Sequence, residues 1–239
     1  MPPSVPSPLL VIDASSKVGS LALFRGGSLL ATATVAMGRS AGDPLFVAVA
    51  SLLREHGVAP GSLAAVACGA GPGGFTSLRM AASVAKGLLS GGAGVLYGVP
   101  SLGLAAAAVA LPVGDVERTL LVHADALRGE RFVQRFAVGP QGTVRALGPV
   151  ARVPHTALDG GAAAGGGVRS WRVAVEASPT PELEDAICLP DAGRALAVAG
   201  WLDAGPVSIA GWEPEYGRLA EAQVQWEQRH GRALDPISR

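Results

Sequence analysis

The sequence predicts an α/β fold built from two similar lobes, and two observations predict it. A succession of strand, Asp-containing polar turn, strand, turn and strand opens near Leu9, and it recurs from Thr119 with little residue identity. Each succession leads into segments with helical apolar spacing, the plan of an α/β chain whose halves are alike. At 239 residues the chain is long enough for two lobes that each bury a core.

The elements follow in order. Leu9-Leu10-Val11-Ile12 reads as a short buried strand ending in the polar turn Asp13-Ala14-Ser15-Ser16-Lys17. Gly19 to Phe24 forms a second strand, and Arg25-Gly26-Gly27 has turn chemistry. Leu29 to Val35 alternates in the period-two pattern of a pleated strand. A helix follows with clear punctuation: Asp43 as N-cap, Pro44 at the first helical position and Gly57 just past its end. Its apolar stripe is Leu45, Val49, Leu52 and Leu53. Leu63 to Cys68 is a strand of small residues that runs into a glycine-rich loop, Gly69 to Thr76, and a helix from Ser77 to Leu89. Val95-Leu96-Tyr97 is a brief strand, after which Ser101 caps a buried helix of leucines and alanines. The second meander has strands at Leu120 to Ala124, Glu130 to Val138 and Thr143 to Leu147, with the turn Asp125 to Gly129 after the first. Beyond Val153 the expected pieces are a low-complexity loop from Gly160 to Gly167, a strand from Trp171 to Val175 and a linker at Ser178 to Pro181. A strand at Ile187 to Leu189, a helix from Asp191 to Leu202 and an amphipathic helix from Gly217 to His230 complete the chain.

Composition removes several classes of function. Hydrophobic residues make up 49% and mean hydropathy is +0.37, yet the longest apolar run, Leu102 to Val113, is broken by Gly103 and Pro112. That is short of the ~20 residues a spanning helix needs, so a buried helix is expected. Met1-Pro2-Pro3-Ser4 lacks the charged start of a secretory signal. Cys68 and Cys188 stand alone and far apart, without a zinc-knuckle or disulfide pattern, which suits a reducing cytoplasm. Basic and acidic residues number 19 each. A protein that grips nucleic acid unaided carries a basic excess, so any RNA is expected to be held mainly by another subunit.

Two motifs invite chemistry. Asp13 closes a buried strand and precedes small hydroxyl residues; in actin-like ATPases and sugar kinases such a hairpin faces nucleotide phosphates and their metal. A polar turn that satisfies its own backbone is the alternative. The second is Gly69-Ala70-Gly71-Pro72-Gly73-Gly74-Phe75-Thr76 ahead of a helix, where amides and the helix dipole can meet an anion. It has neither the Gly-Lys-Ser/Thr ending of a phosphate loop nor a dinucleotide fingerprint. Phe75 within it favours packing. His56, His123, His155 and His230 never pair at helical metal spacing, and no Gly-x-Ser-x-Gly elbow occurs. No catalytic centre and no metal site are legible.

Together these pieces resemble the TsaB (YeaZ) family. Val11-Ile12-Asp13-Ala14-Ser15-Ser16 resembles its first strand and Asp-Thr-Ser/Thr turn. Gly69 to Arg79 is similar to its Gly-x-Gly-Pro-Gly-Ser-Phe-Thr-Gly-x-Arg segment, the most specific match. Gly98-Val99-Pro100-Ser101-Leu102, Asp125-Ala126-Leu127-Arg128-Gly129-Glu130 and Pro214-Glu215-Tyr216-Gly217-Arg218 resemble its later motifs. Residues 9–147 match well, 211–225 moderately and 150–210 little. Ala14 stands where the family has threonine, Gly74 and Ser77 exchange its Ser and Gly, and Ala81 replaces a glycine. Arg39 to Pro44 replaces its His-Ser-Glu helix start.

The resemblance implies an actin-like, sugar-kinase-like duplicated fold. Residues 1–100 form the first lobe, with a helix at 214–230 packing back on it, and 101–213 form a second, reduced lobe. It implies a non-catalytic subunit that works with a TsaD-like paralogue and a TsaE-like ATPase. Together they threonylcarbamoylate the adenosine beside the tRNA anticodon, and this subunit forms a homodimer when alone and reaches tRNA only through the complex. It implies a partner surface of Leu45, Val49, Phe75, Thr76, Arg79, Ala82 and Ser83. A degenerate nucleotide site at Asp13, Ser15, Ser16 and Asp125, with ATP or ADP at the partner interface, completes the expectation. A small-molecule kinase or ATPase of the same fold is the alternative, with Asp13 and Asp125 flanking the nucleotide; a metallopeptidase is a third reading.

Overall fold

The computed structural model describes residues 4–37, 44–110, 118–127, 129–158, 170–174, 186–216 and 229. Asp43, Arg128, the loop at 160–167, the linker at 178–181 and, Arg229 apart, the closing helix at 217–230 lie outside them.

Two mixed sheets share one plan. In the first, β1 (Leu9–Asp13), β2 (Val18–Arg25) and β3 (Ser28–Ala36) form an antiparallel meander. On the other side of β1 run β4 (Ala65–Gly69) and β5 (Val95–Val99), both parallel to it, giving the order β3-β2-β1-β4-β5. Parallel neighbours need long crossovers, supplied here by α1 (Pro44–Glu55) between β3 and β4 and α2 (Phe75–Leu89) between β4 and β5. After α3 (Ser101–Val109) the second sheet repeats the scheme. β6 (Arg118–Leu127), β7 (Glu130–Val138) and β8 (Val144–Ala146) form the meander, and β9 (Ala151–Pro154) also pairs with β7. β10 (Ser170–Ala174) and β11 (Ala186–Ile187) run parallel to β6, so the order β8-β7-β6-β10-β11 matches the first sheet strand for strand.

The unbroken apolar run of β1 follows from burial on both faces. Leu9 and Val11 face a cluster with α3 and the second sheet, whereas Leu10 and Ile12 face one with α1 and α2. Every residue from Ser101 to Ala107 is buried, as expected of a helix apolar all round.

Three expectations change. Ser101 is the first residue of α3 and not its cap, a position Pro100 occupies without a side-chain bond. The helix expected over Asp191 to Leu202 is a 3-10 helix at Ala192–Ala197. Asp191 Oδ1 accepts from the Gly193 amide at 2.8 Å, and the glycines at 193 and 200 weaken a longer helix. β9 was not expected; its Pro154 lacks the amide a central strand needs, and β9 meets only β7.

The chain returns to the first sheet at Val207, whose amide donates to Leu96 O at 2.8 Å. Trp212 then lies against Gly98, where a side chain would meet its indole at 3.3 Å. Among the described residues no helix is long and apolar enough to cross a membrane.

Candidate functional site

β1 delivers Asp13 to the end of the first sheet, fully buried. Its Oδ1 accepts from the Ser15 amide at 2.9 Å and the Ser15 hydroxyl at 2.7 Å, and its Oδ2 accepts from the Ser101 hydroxyl at 2.6 Å. Ser101 Oγ in turn accepts from the Gly71 amide at 3.0 Å, and the Gly74 amide donates to Ser15 O at 2.9 Å. The glycines make this closure sterically feasible. A Cβ on Gly69 would strike the Asp13 carboxylate, and one on Gly73 would strike the Ser15 backbone. Burial raises the Asp13 pKa above its ordinary 3.8, opposed by the bonds from Ser101 and Ser15.

This arrangement corrects the nucleotide expectation for Asp13 and Ser15. Their oxygens, and the Gly71 and Gly74 amides that could cradle a phosphate, are engaged inside the fold. Ser16 is satisfied within its own turn, donating to Val18 O at 2.8 Å and accepting from Val18 N at 3.3 Å. Asp125 is exposed on β6, opposite Arg131 of β7. Ser101 is the member that sequence reasoning missed; 88 residues separate it from Asp13. Its place in the Gly98-to-Leu102 motif was the available signal. Among the described residues no three side chains of His, Cys, Asp and Glu come together.

A second region lies on the far side of the first sheet, where α1 and α2 pack. On α2 the residues Leu78, Ala81, Ala82, Ala85 and Leu89 are buried. Thr76, Arg79 and Ser83 are exposed on the opposite side. The Phe75 ring lies 4.5 Å from that of Tyr216 and under the Arg79 guanidinium at 5.4 Å. The Tyr216 hydroxyl donates to Glu213 Oε2 at 2.7 Å, and Lys86 pairs with Glu213 Oε1 at 3.3 Å. Residues 213–216 thus strap α2, with Tyr216 on Phe75 at its start and Glu213 on Lys86 in its last turn. Burial, then the bond to Glu213, pushes the Tyr216 phenol up to about 12, and that bond holds Glu213 below its ordinary value.

The partner residues expected on this face divide. Phe75, Thr76, Arg79 and Ser83 are accessible. Leu45, Val49 and Ala82 are corrected: at 0%, 1% and 4% exposure they belong to the core beneath. The apolar stripe of α1 buries against its own sheet before any partner can meet it. What α1 presents outward is Phe46, 55% exposed, and Val47, 63% exposed. Two large apolar residues beside the stripe were the overlooked signal. Phe46 borders a groove of about 640 Å³ with Ser83, Val84, Gly87 and Leu88 of α2. Glycines and the hydroxyls of Ser83 and Ser90 leave this groove without a charge to orient a polar ligand, so it suits an apolar protein surface.

Residues 42–176 match the family model described as TsaD: tRNA N6-adenosine threonylcarbamoyltransferase. The crystal structure of an uncharacterized protein with similarity to peptidase YEAZ from Pseudomonas aeruginosa superposes with a TM-score of 0.71 at 28% identity. The match covers 89% of this chain and all of that one. YeaZ from Pseudomonas aeruginosa superposes with a TM-score of 0.68 at 26% identity, over 87% of this chain and 98% of that one. No curated protein sequence matches the chain.

Proposed function

The chain belongs to the TsaD, tRNA N6-adenosine threonylcarbamoyltransferase, family, and from that premise we propose that it is a non-catalytic, YeaZ-like subunit of the tRNA threonylcarbamoylation machinery. Its fold is the duplicated actin-like one and it resembles YeaZ over nearly its whole length. In the proposal it pairs, in the cytoplasm, with a TsaD-type paralogue that performs the transfer, and a TsaE-type ATPase joins them.

The observation that carries this reading is Phe46, more than half exposed at the groove between α1 and α2, with Val47, also more than half exposed, next to it in the chain. Apolar residues gathered at the rim of an apolar groove mark a protein contact. The Asp13 knot supports the non-catalytic part, because a carboxylate enclosed by Ser15 and Ser101 offers no open ligand position. ATP or ADP, in this reading, is held at the interface with groups from the partner. One face serves both assemblies, so the homodimer formed alone gives way when the paralogue binds.

The test is light scattering of the purified chain mixed with the TsaD-type protein of the same genome, with and without ATP. A mixed complex that forms at micromolar concentration and dissolves the homodimer is the expected result. A chain that ignores the paralogue and hydrolyses ATP alone, with the activity lost in Asp13→Asn, overturns the proposal in favour of a kinase or ATPase.

A further inference from the structure

Charge on this neutral chain is unevenly placed. Between positions 118 and 158 stand six arginines and no lysine against Asp125 and Glu130, while Asp115, Glu117 and Asp159 flank the segment closely, so its charge is separated along the chain more than it is in excess. Such arginines point to a polyanion only where folding gathers them on one face.

The second sheet sorts these arginines by strand parity. On β7, Phe132 and Phe136 face the core, so Arg131 and Arg135 point to the other face. Arg145 of β8 stands opposite Ala137 of β7, which puts it on that same outer face as the diagonal neighbour of Arg135. Such neighbours lie roughly 7–8 Å apart. Both Arg135 and Arg145 are exposed, and they take part in neither the Lys86–Glu213 nor the Arg152–Glu130 ion pair. Arg131 is 4% exposed, with its Nη2 3.4 Å from His155 Nε2, and is not one of the contacting charges. Asp125, opposite Arg131, is the acid among the described residues of this face.

We propose that the exposed part of the second sheet's outer face, where β7 meets β8, is a phosphate-backbone contact for RNA, with Arg135 and Arg145 as the contacting side chains. His123, Arg131 and Ala137 of the same face are buried. Two like charges set side by side repel each other unless an anion lies between or above them. Guanidinium groups bind phosphate through paired donors. Among the described residues this face exposes no aromatic ring to stack on a base, so the contact positions RNA without reading its sequence. The inference rests on the proposed role in tRNA modification, but departs from the expectation that tRNA is reached only through other subunits. A net charge of zero makes this face an auxiliary to the main RNA site, and not a replacement for it.

The experiment uses the full chain assembled with its TsaD-type partner and an unmodified tRNA transcript, with affinity measured by fluorescence anisotropy at several salt concentrations. The R135E/R145E double variant is expected to bind at least about tenfold more weakly, with the slope of log K against log salt reduced by roughly 1.4–1.8. R135K/R145K keeps most of the affinity, which separates charge from folding. Light scattering reads assembly independently. If the mixed complex forms but R135E/R145E binds the transcript like the parent, this inference falls and the subunit reading stands. If no complex forms, the subunit reading falls, and the chain alone at low salt decides: binding lost in R135E/R145E upholds the RNA face, and absent or unchanged binding overturns it.

Discussion

Replacing Phe46 by alanine separates partner binding from folding at one position of α1. The residue is 55% exposed, and an aromatic side chain buries of the order of 150–250 Å², so about 100 Å² is left for a partner to cover. At about 25 cal/mol per Å² that area is worth roughly 2.5 kcal/mol. One tenfold change in Kd corresponds to about 1.4 kcal/mol, so Phe46→Ala weakens association between tenfold and a hundredfold. Its neighbour supplies the contrast. Leu45 is fully buried, and Leu45→Ala costs about 2–5 kcal/mol of fold stability through lost transfer energy and a cavity. Titration calorimetry against the TsaD-type partner, beside thermal unfolding of each variant, reads both quantities. The reasoning is refuted if Phe46→Ala binds within about threefold of the parent, or if its melting temperature falls as far as that of Leu45→Ala.

Other substitutions test the closure of the glycine loop and the strap over α2. Gly71 has φ +86° and faces the Glu215 carbonyl, which a Cβ would strike. Gly71→Ala therefore destabilises by about 1–3 kcal/mol, a fall of several degrees in Tm by differential scanning calorimetry; an unchanged Tm contradicts the contact. Asp13 has a folded pKa above its ordinary 3.8, so its contribution to stability is complete below that value and is lost as pH rises through the folded pKa. Asp13→Asn should flatten this part of the stability–pH curve, measured by urea unfolding, and a slope like the parent's counts against a carboxylate enclosed by Ser15 and Ser101. Tyr216→Phe removes the hydroxyl that lowers Glu213. Carbon-13 NMR should then show Glu213 titrating closer to 4.5, with stability changed by no more than about 1 kcal/mol for so exposed a pair. A Glu213 titration that does not move rules out the 2.7 Å bond.

Local pattern was enough for elements whose burial is simple. The alternation over Leu29 to Val35 announced β3, and Pro44 and Gly57 bracketed α1. Duplication was visible because the meander occurs twice in the same order, and the sheets later matched strand for strand. The glycine motif pointed to the family because its residues are set by close approach: Gly69 and Gly73 leave no room for a Cβ. Short segments fared worse. Residues 192–197 form a 3-10 helix because Asp191 bonds the Gly193 amide and Gly193 packs on Thr32 and Leu29, a neighbour from β3 that lies far away in the chain.

The sequence by itself determined the two-lobed α/β plan, the family and the apolar faces of the helices, since each follows from periodicity or from steric limits within a few residues. It did not determine what those faces meet. Leu45 and Val49 looked like contact residues and are core, because an apolar stripe is satisfied first by the sheet of its own lobe. Asp13 looked open and is enclosed, because Ser101 reaches it across 88 positions. Arg135 and Arg145 carry no joint signal in the sequence and share one face, because antiparallel pairing of β7 with β8 sets them on it as diagonal neighbours. Each of these outcomes depends on contacts between distant segments, and only the tertiary structure brings such segments together.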